Sequence, residues 1–438
     1  MSDTQNLTYV RTEMLPEQAP PSTVVGPVRW IQDNLFSGVL NSILTILSLL
    51  VIAWIIMALT PEVVNSVWNA ESLSECREIL RAAGAFDEHG TYGACWAVIK
   101  DRWHQLLFGF YPPELYWRPV LSFVLMLVAL APILFPDVPR KWLMFSLAYP
   151  FIGFFLLWGG SIWLPLMIVA GFVIGYFIQR ATQNIGTLVS IAAMVIVPVI
   201  WWLYAAFPVV DILHGALPIG LEAVGSNDFG GFLLSIVIGV TGIVLSLPLG
   251  VVLALGRQSN MPLIKSVCVI FIEFVRGVPL ITLLFTASLL LNYFLPPGTN
   301  FDLILRVIIM VTLFATAYMA EVIRGGLAAL PSGQYEAADA LGLDYWKSQR
   351  LIIMPQALKI SIPGIVNTFI GLFKDTTLVV FIGLLDPIGL ASAIRANSDW
   401  QGIYWELFIF IGAVFWIFCF SMSRYSMHLE RRLKTDHR

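Results

Sequence analysis

Four consecutive polar residues interrupt an apolar stretch near the carboxyl terminus of the chain. They are Lys374, Asp375, Thr376 and Thr377, and they fall inside a predicted membrane span at 363–385. An ionised side chain at the centre of a bilayer costs about 2.5–3.5 kcal/mol, which makes a functional role the first hypothesis. A carboxylate binds ammonium groups and a lysine binds carboxylates, so these residues are candidates for contacting a solute that crosses the membrane. Lys374 has an alternative role, an ion pair with another subunit that only fixes packing.

Two further pairs of opposite charges lie at the ends of apolar stretches. Glu273 and Arg276 are three residues apart, as are Glu321 and Arg324. This spacing places both members of a pair on one face of a helix. A glycine follows each arginine, whose long side chain can reach the polar boundary of the membrane. The pairs therefore either anchor helix ends or form a gate at the inner mouth.

The motifs of common enzymes are absent from the sequence. The five histidines are scattered, and no His-Glu-x-x-His zinc motif or Gly-x-Ser-x-Gly nucleophile motif occurs. The phosphate-binding Gly-x-x-x-x-Gly-Lys-Ser/Thr loop is absent as well. We expect no catalytic residue, no metal site and no cofactor in this chain.

The composition indicates an integral membrane protein. Of the 438 residues, 58% are apolar and only 12% are charged, whereas soluble domains carry about 25% charged residues. Half the usual charge cannot keep a surface of this size in water. The net charge of −3 gives no basic footprint for nucleic acid. The predicted fold class is all-α, with membrane-spanning helices in contact with lipid.

Apolar stretches of about 20 residues, long enough to cross a bilayer, predict ten spans. These are 38–60, 119–135, 142–158, 161–178, 187–207, 232–256, 267–295, 303–324, 363–385 and 403–424. Lys and Arg concentrate in alternate short connections, which predicts that both termini are cytoplasmic. The resulting regions are a polar cytoplasmic tail at 1–37, the first span, a periplasmic segment at 61–118, four additional spans within 119–207 and a basic cytoplasmic tail at 429–438.

The periplasmic segment carries Cys76 and Cys95. Disulfides persist in oxidising compartments such as the bacterial periplasm. The two residues form either a disulfide or two free thiols, and their spacing does not decide between these alternatives.

The cytoplasmic segment 325–362 is too patterned for a simple connection. Ser332 and Asp344 are placed to cap two short helices. Gly342 is placed to take the left-handed position that closes the first helix. Pro355 and Pro363 are expected to interrupt helix at the far end of the segment.

The first of these helices has one apolar face, made of Tyr335, Ala338 and Leu341. Its polar face is acidic, which anionic lipid would repel. We therefore expect this helix to contact a protein partner in the cytosol.

The same segment resembles the EAA motif of binding-protein-dependent ABC importer permeases. The matching residues are Glu336, Ala337, Ala338, Gly342, Ile352 and Pro355. Met354 departs from the leucine that usually precedes the proline. Segments 271–280, 317–326 and 372–378 resemble the polar amino acid permeases, which are type I importers. The resemblance covers 228–428, and the additional spans before it are similar to the larger permease of general L-amino acid systems.

This resemblance implies a transport subunit rather than an enzyme. It implies a five-helix permease core at 228–428, with 325–362 as the segment that couples to an ATPase. The expected partners are a second permease of the same family, two ATPase subunits that hold ATP and Mg²⁺, and a periplasmic amino-acid-binding protein. The expected location is the bacterial inner membrane. The alternative is a secondary transporter or channel without an ATPase.

Overall fold

The computed structural model describes residues 26–87, 90–91, 93–290, 293 and 302–433. The beginning of the predicted tail 1–37 and the end of the tail 429–438 therefore lie outside the described residues. The chain forms two compact units. The first contains the described residues up to 68 together with 74–95, and the second contains 69–73 together with 96–433.

The first unit contains one membrane-length helix and a small hydrophilic part. Its elements are the helices α1 (Pro27–Leu35), α2 (Val39–Val64) and α3 (Leu73–Ala82) and the antiparallel strands β1 (Phe86–Asp87) and β2 (Gly90–Thr91). Cys76 and Cys95 form a disulfide, which selects one of the two alternatives left open above. Beside it, the Val67 N–H donates to the carbonyl of Ala94 at 2.9 Å.

The second unit contains fifteen helices among the described residues. They are α4 (Ala97–Phe108), α5 (Trp117–Leu134), α6 (Leu143–Trp158), α7 (Trp163–Thr182), α8 (Thr187–Ile200), α9 (Ala206–Ala216), α10 (Gly231–Gln258), α11 (Pro262–Gly277), α12 (Leu280–Leu290), α13 (Leu303–Ala328), α14 (Ser332–Ala340), α15 (Tyr345–Ser348), α16 (Met354–Asp375), α17 (Pro387–Ala396) and α18 (Trp405–Leu433). Strands β3 (Gly160–Ser161) and β4 (Gly220–Leu221) pair antiparallel.

Several of these helices continue through turns of different pitch. A π-helical segment, Trp201–Ala205, joins α8 to α9, and another, Gln349–Ile353, joins α15 to α16. A 3₁₀ segment, Thr376–Ile382, continues α16. The remaining 3₁₀ turns are Pro113–Leu115, Arg140–Trp142, Ser226–Asp228 and Ser398–Trp400.

The predicted number of spans is confirmed. In the described part of the chain nine helical stretches are long and apolar enough to cross a membrane, or ten if α11 and α12 together count as one span. The predicted hairpin between 142–158 and 161–178 is also confirmed, because Gly159 and Gly160 turn the chain with φ of 68° and 77°.

Three predicted spans differ from the structure. The span 267–295 is not one straight helix, because α11 and α12 meet at an angle of 103°. The span 187–207 continues to Ala216. The span 363–385 is the end of a longer helical run, Tyr345–Ile382, so the prediction that Pro355 and Pro363 interrupt helix is wrong. Proline is tolerated inside membrane helices because neighbouring groups satisfy the freed backbone.

The centre of the second unit is the contact between α10 and α13. A side chain at Gly250 would approach the Cγ of Met319 to 2.7 Å, and one at Gly242 would approach Val311 to 3.2 Å. α16 packs on the same pair, with the Ser361 hydroxyl donating to the carbonyl of Val322 at 3.3 Å. Small residues therefore bring the three helices together, as is usual in membrane bundles.

The end of this bundle opposite α14 is covered by α4. The Trp400 indole N–H donates to Asp101 of α4 at 2.9 Å, and the Trp400 ring is fully buried. Gly109, just after α4, lies so close to the backbone of Gly230 that no side chain fits between them. This end of the permease core is therefore packed against the hydrophilic segment that precedes α5.

We expect Gly231→Ala to destabilise the second unit by about 2 kcal/mol or more. Gly231 has φ of 59°, and a β-carbon there would overlap the carbonyl oxygen of Leu106 in α4. The left-handed conformation alone costs a residue with a β-carbon about 1–2 kcal/mol. The thermal unfolding midpoint of the purified protein in detergent measures this effect.

Gly215→Ala is the matched control. Gly215 lies in α9 with no atom within 4 Å of a β-carbon. Alanine should be neutral there, or stabilising by up to about 1 kcal/mol. Equal unfolding midpoints for the two variants would contradict the predicted close contact.

Candidate functional site

α14 is a surface helix that follows α13 directly and ends in a closed turn. The turn is a Schellman motif. The Gly342 N–H donates to the backbone carbonyl of Asp339 at 2.9 Å, and the Leu343 N–H donates to the backbone carbonyl of Ala338 at 3.2 Å. Gly342 has φ of 65°, which confirms its predicted left-handed conformation. The turn fixes the direction in which the chain leaves α14.

The two predicted helix caps have different outcomes. Asp344 caps α15, because its carboxylate accepts the Lys347 N–H at 3.0 Å. Ser332 does not cap α14: it is the first residue of the helix, Pro331 occupies the N-cap position, and no side-chain cap bond is formed. A proline before the helix fixes the chain direction without a hydroxyl cap.

The apolar face of α14 packs mainly against the chain itself, which corrects the sequence prediction. Tyr335 contacts an apolar cluster that includes Ile353 and Ala357, and Ala338 is fully buried. Only Leu341, which is 73% exposed, remains available to a partner. The stripe of three residues therefore serves chiefly to fasten α14 to the bundle.

Five of the exposed residues of this region form what we call the coupling surface. It consists of Glu336, Ala337, Leu341, Tyr345 and Trp346. Trp346 is 70% exposed and its ring lies edge-on to Tyr345 with centroids 5.3 Å apart. Sequence reasoning missed both aromatic residues, although two adjacent aromatics directly after a helix cap were a usable signal. Large exposed apolar side chains beside a carboxylate are suited to a protein partner.

The remaining residues of the EAA-like motif lie where α15 joins α16. Ile352 is half-buried against the apolar cluster under α14, and Pro355 is exposed in the first turn of α16. The Gln356 amide donates to Gln334 of α14 at 2.9 Å. α14 and the start of α16 are thus joined by apolar packing and one amide hydrogen bond.

The two predicted charge pairs belong to a single ionic cluster at the same end of the bundle. Arg324 donates to Glu321 at 2.6 Å, and Arg276 lies 3.8 Å from the same carboxylate. Glu273 does not pair with Arg276 but accepts from Arg257 of α10 at 2.8 Å. The spacing of three residues thus corresponds to an ion pair for Glu321 and Arg324 but not for Glu273 and Arg276. The predicted role of the two pairs, as helix anchors or as a gate, stays a prediction.

Arg257 is the member of the ionic cluster that sequence reasoning missed. Besides Glu273, it contacts Glu321 at 3.2 Å. It therefore joins α10 to both α11 and α13. No local spacing signals this contact, because the three helices meet only in the folded bundle.

The polar residues 374–377 lie where α16 tightens into the 3₁₀ segment. Asp375 is the last residue of α16 and is half-buried, whereas Lys374 is exposed, and neither forms an ion pair with any described residue. Thr376 is buried and donates to the Phe373 carbonyl at 2.7 Å. Thr377 donates to the Lys374 carbonyl at 2.9 Å. In this part of the chain, Lys374 and Asp375 thus act on each other electrostatically but form no ion pair.

α17 begins beyond the 3₁₀ segment and is capped by a buried carboxylate. Asp386 accepts the N–H groups of Gly389 at 2.9 Å and of Ile388 at 3.2 Å. Burial raises the pKa of Asp386 to about 6, although these two hydrogen bonds oppose the shift. The folded chain therefore binds a proton at this cap more tightly than the unfolded chain does.

Within the ranges that the structure describes, no group of three or more His, Cys, Asp or Glu side chains is placed to hold a metal ion. The site thus consists of a membrane bundle with the surface helix α14 packed on it, an exposed coupling surface and charged residues within the spans. Such features are suited to the membrane subunit of a transporter that a separate protein drives.

Comparison with known proteins gives the family. Residues 246–435 match the model of the binding-protein-dependent transport system inner membrane component. The chain belongs to this family, as a permease subunit of amino-acid ABC importers. It is a transport subunit and not an enzyme, a multi-pass protein of the inner membrane, and the comparisons favour this function over a secondary transporter or channel.

Two curated relatives match nearly the whole chain. The chain is 59% identical over 440 residues to the glutamate/glutamine/aspartate/asparagine transport system permease protein BztC of Rhodobacter capsulatus, covering 100% of both. It is 37% identical over 411 residues to the inner membrane amino-acid ABC transporter permease protein YhdY of Escherichia coli, covering 93% of both. Among solved structures, an amino acid ABC transporter with histidines matches with 30% identity and a TM-score of 0.41, covering 46% of this chain and 91% of that one.

We expect Gly342→Asp to lower coupled uptake, by uncoupling ATP hydrolysis or by weakening assembly with the ATPase. No atom of this chain lies within 4 Å of a β-carbon at this position. The effect therefore comes from the left-handed backbone, which costs a residue with a β-carbon about 1–2 kcal/mol, and from the new negative charge beside the coupling surface. Uptake, ATPase activity and complex yield are measured together. Gly342→Asn is the matched control, because asparagine has the size of aspartate and also adopts the left-handed conformation, but it adds no charge. Wild-type uptake and yield for the Asp variant would refute the prediction.

We expect Asp386→Asn to remove a pH dependence of stability. Because the folded-state pKa is about 6 and the ordinary value is about 3.9, the folded state prefers the protonated acid. The preference for the protonated acid stabilises the folded state fully below about pH 4. The free energy of unfolding then falls by about 3 kcal/mol as the pH rises through 6. Asparagine keeps the cap without titrating, so its advantage over the wild type in thermal unfolding should grow from pH 4.5 to 7.5. A difference in unfolding midpoint between the variant and the wild type that stays constant from pH 4.5 to 7.5 would contradict the raised pKa of Asp386.

Proposed function

We propose that this chain is one of two permease subunits of an importer for L-amino acids, with glutamate, glutamine, aspartate and asparagine as the first substrates to test. The observation that carries this proposal is the 59% identity, over the whole length of both chains, to a permease whose name gives these four amino acids. Their shared chemistry is a zwitterion with a short carboxylate or amide side chain.

The proposed complex contains a second permease of the same family, two ATPase subunits and a periplasmic amino-acid-binding protein. ATP and Mg²⁺ are bound by the ATPase subunits, and this chain holds no cofactor. The coupling surface supports this assembly, because its exposed aromatic and acidic residues need a protein neighbour in the cytosol. The placement of α14 in the cytosol agrees with the distribution of Lys and Arg, which puts both termini there as well.

In the proposed cycle, ATP draws the two ATPases together and displaces α14. Glu336, Ala337 and Ala338 in the helix, with Gly342 in its closing turn, transmit that displacement to the bundle. Ile352 and Pro355 receive it at the start of α16. The two permeases then change from inward-facing to outward-facing and accept the amino acid from the binding protein. Such a change requires that the two states differ little in free energy, since nucleotide shifts populations only by its differential affinity.

The proposed substrate path passes Lys374, Asp375 and Thr377. Asp375 and Lys374 carry opposite charges, and neither forms an ion pair with a described side chain of this subunit. A zwitterion offers an ammonium group to Asp375 and a carboxylate to Lys374. Thr376 contributes less, because its hydroxyl is buried and donates to the helix backbone.

The experiment is uptake into proteoliposomes that contain the assembled complex, with ATP and Mg²⁺ on the ATPase side and the binding protein outside. We expect ATP-dependent accumulation of labelled glutamate that excess glutamine, aspartate or asparagine reduces. Accumulation that does not depend on ATP would overturn the proposal in favour of a secondary transporter. No uptake of any of the four amino acids would overturn the substrate assignment.

The same assay tests the substrate path. Asp375→Asn should lower the initial rate at least tenfold while ATPase assembly is unchanged. Asp137→Asn is the matched control, because Asp137 is 85% exposed in the turn before α6 and is remote in sequence from every site residue. Equal uptake by the two variants would contradict a role for Asp375.

A further inference from the structure

The last turns of α18 contact the end of α5. The Tyr425 hydroxyl of α18 donates to the carbonyl of Leu134, the last residue of α5. The Tyr425 ring also lies edge-on to the Phe135 ring, with centroids 6.3 Å apart. One of the additional spans and a helix of the permease core are therefore in contact at this end. We call residues 134–142 and 416–432 the α5–α18 junction.

The α5–α18 junction carries an excess of positive charge. It contains five Lys and Arg side chains but only two Asp and Glu side chains. One cation, Arg432, lies 3.7 Å from Asp137. The four other cations are exposed: Arg140, Lys141, Arg424 and Arg431. Even if the remaining acid, Glu430, neutralises one of the four, the junction keeps a net positive charge.

One exposed face of α18 changes from aromatic to cationic along the helix. Trp416, Phe420 and Arg424 are four residues apart, which places them on the same face. The Trp416 ring stacks on the Phe420 ring with centroids 4.8 Å apart, and the Arg424 guanidinium lies 6.0 Å from the centre of the Phe420 ring. Arg431, seven residues beyond Arg424, continues this face. Such a sequence is typical of the depth where hydrocarbon gives way to phosphate headgroups.

The turn after α5 has the same character. Arg140 and Lys141 are followed by Trp142, which is 50% exposed. Tryptophan beside basic residues is typical of the boundary between the membrane and water. The turn and the end of α18 are in contact and both have this pattern, which indicates that the cations of the two segments lie at one membrane boundary.

An anionic phospholipid fits these features better than a protein neighbour does. Its phosphate accepts charge-assisted hydrogen bonds from guanidinium and ammonium groups, and basic pockets between membrane helices bind such headgroups. Its acyl chains match the exposed aromatic residues Trp416 and Phe420, which lie on the hydrocarbon side of Arg424. A protein neighbour would need acidic side chains and an apolar surface arranged in the same order.

We propose that the α5–α18 junction binds one anionic phospholipid. Its phosphate lies among Arg140, Lys141 and Arg424, and its acyl chains lie along Phe420 and Trp416. Because this lipid contacts both helices, it strengthens the attachment of the additional spans to the permease core. The binding does not involve the coupling surface and does not depend on the proposed transport function.

The first test is a titration of the full-length chain in detergent with phosphatidylglycerol, followed by native mass spectrometry. Arg140→Gln combined with Arg424→Gln removes one cation from each segment, and neither residue forms an ion pair with a described residue. We expect this double variant to raise the dissociation constant at least tenfold. Phosphatidylcholine with the same acyl chains should bind the wild type at least tenfold more weakly, and glycerol phosphate should not displace the bound lipid.

Arg180→Gln combined with Lys265→Gln is the matched control. Both residues are exposed and are predicted to lie on the same side of the membrane, so this variant loses the same charge outside the junction. Its dissociation constant should stay within twofold of the wild-type value. Equal weakening in the two double variants would show a diffuse attraction and overturn the proposal. Unchanged binding in the first variant, equal binding of phosphatidylcholine, or displacement by glycerol phosphate would also overturn it.

A second measurement uses the unaltered chain as it is purified from its native membrane, with any subunits that accompany it. After reconstitution with a phosphatidylglycerol that carries a diazirine near its headgroup, light attaches the lipid to its protein neighbours. We expect the strongest labelling in peptides that cover 134–142 and 416–432, reduced at least fivefold by excess unlabelled phosphatidylglycerol. Labelling spread evenly over the membrane boundary, or a junction that another subunit shields from the lipid, would overturn the proposal.

Discussion

Hydrocarbon is as apolar as leucine, so helices in a membrane associate through close packing and interhelical hydrogen bonds rather than through the hydrophobic effect, and small residues favour this packing. The contact of α10 with α13 meets this requirement at Gly242 and Gly250, where side chains of α13 occupy the space that a β-carbon would need. The parts of the candidate functional site are positioned by this contact. The ionic cluster bridges it at one end, α14 continues from α13, and α16 packs on both helices through Phe373 and Ser361.

Much of the fold follows from local sequence signals. Apolar length predicts the spans, and the glycine at 342 and the aspartate at 344 predict the turn after α14, because these signals act through neighbouring backbone atoms. The uninterrupted passage of the helix through Pro363 and the angle between α11 and α12 were not predictable in this way. Both depend on which neighbouring helices satisfy or constrain the freed backbone, and this is decided only when the bundle assembles.

The residues of the candidate site also differ in whether local sequence signals predict them. The pair Glu321 and Arg324 could be predicted from a spacing of three residues, whereas Arg257 joins them from another helix. The sequence correctly predicts that one face of α14 is apolar. The prediction that this face contacts a partner was wrong for Tyr335, which packs against the bundle. A pattern in the sequence shows that a face must be covered. It does not show whether the cover is the same chain or a partner.

The helical run Tyr345–Ile382 starts beside the coupling surface and ends next to the cap of α17. Its two ends are joined by continuous helical backbone, which contains a π-helical segment at one end and a 3₁₀ segment at the other. A tilt imposed at Tyr345 would therefore reach Thr376 through the backbone, without a relay of side chains in between. A lever of this kind converts a small angular input into a larger displacement at its far end. The geometry of this run therefore exchanges force for movement: a small tilt at Tyr345 becomes a larger shift near Lys374 and Asp375.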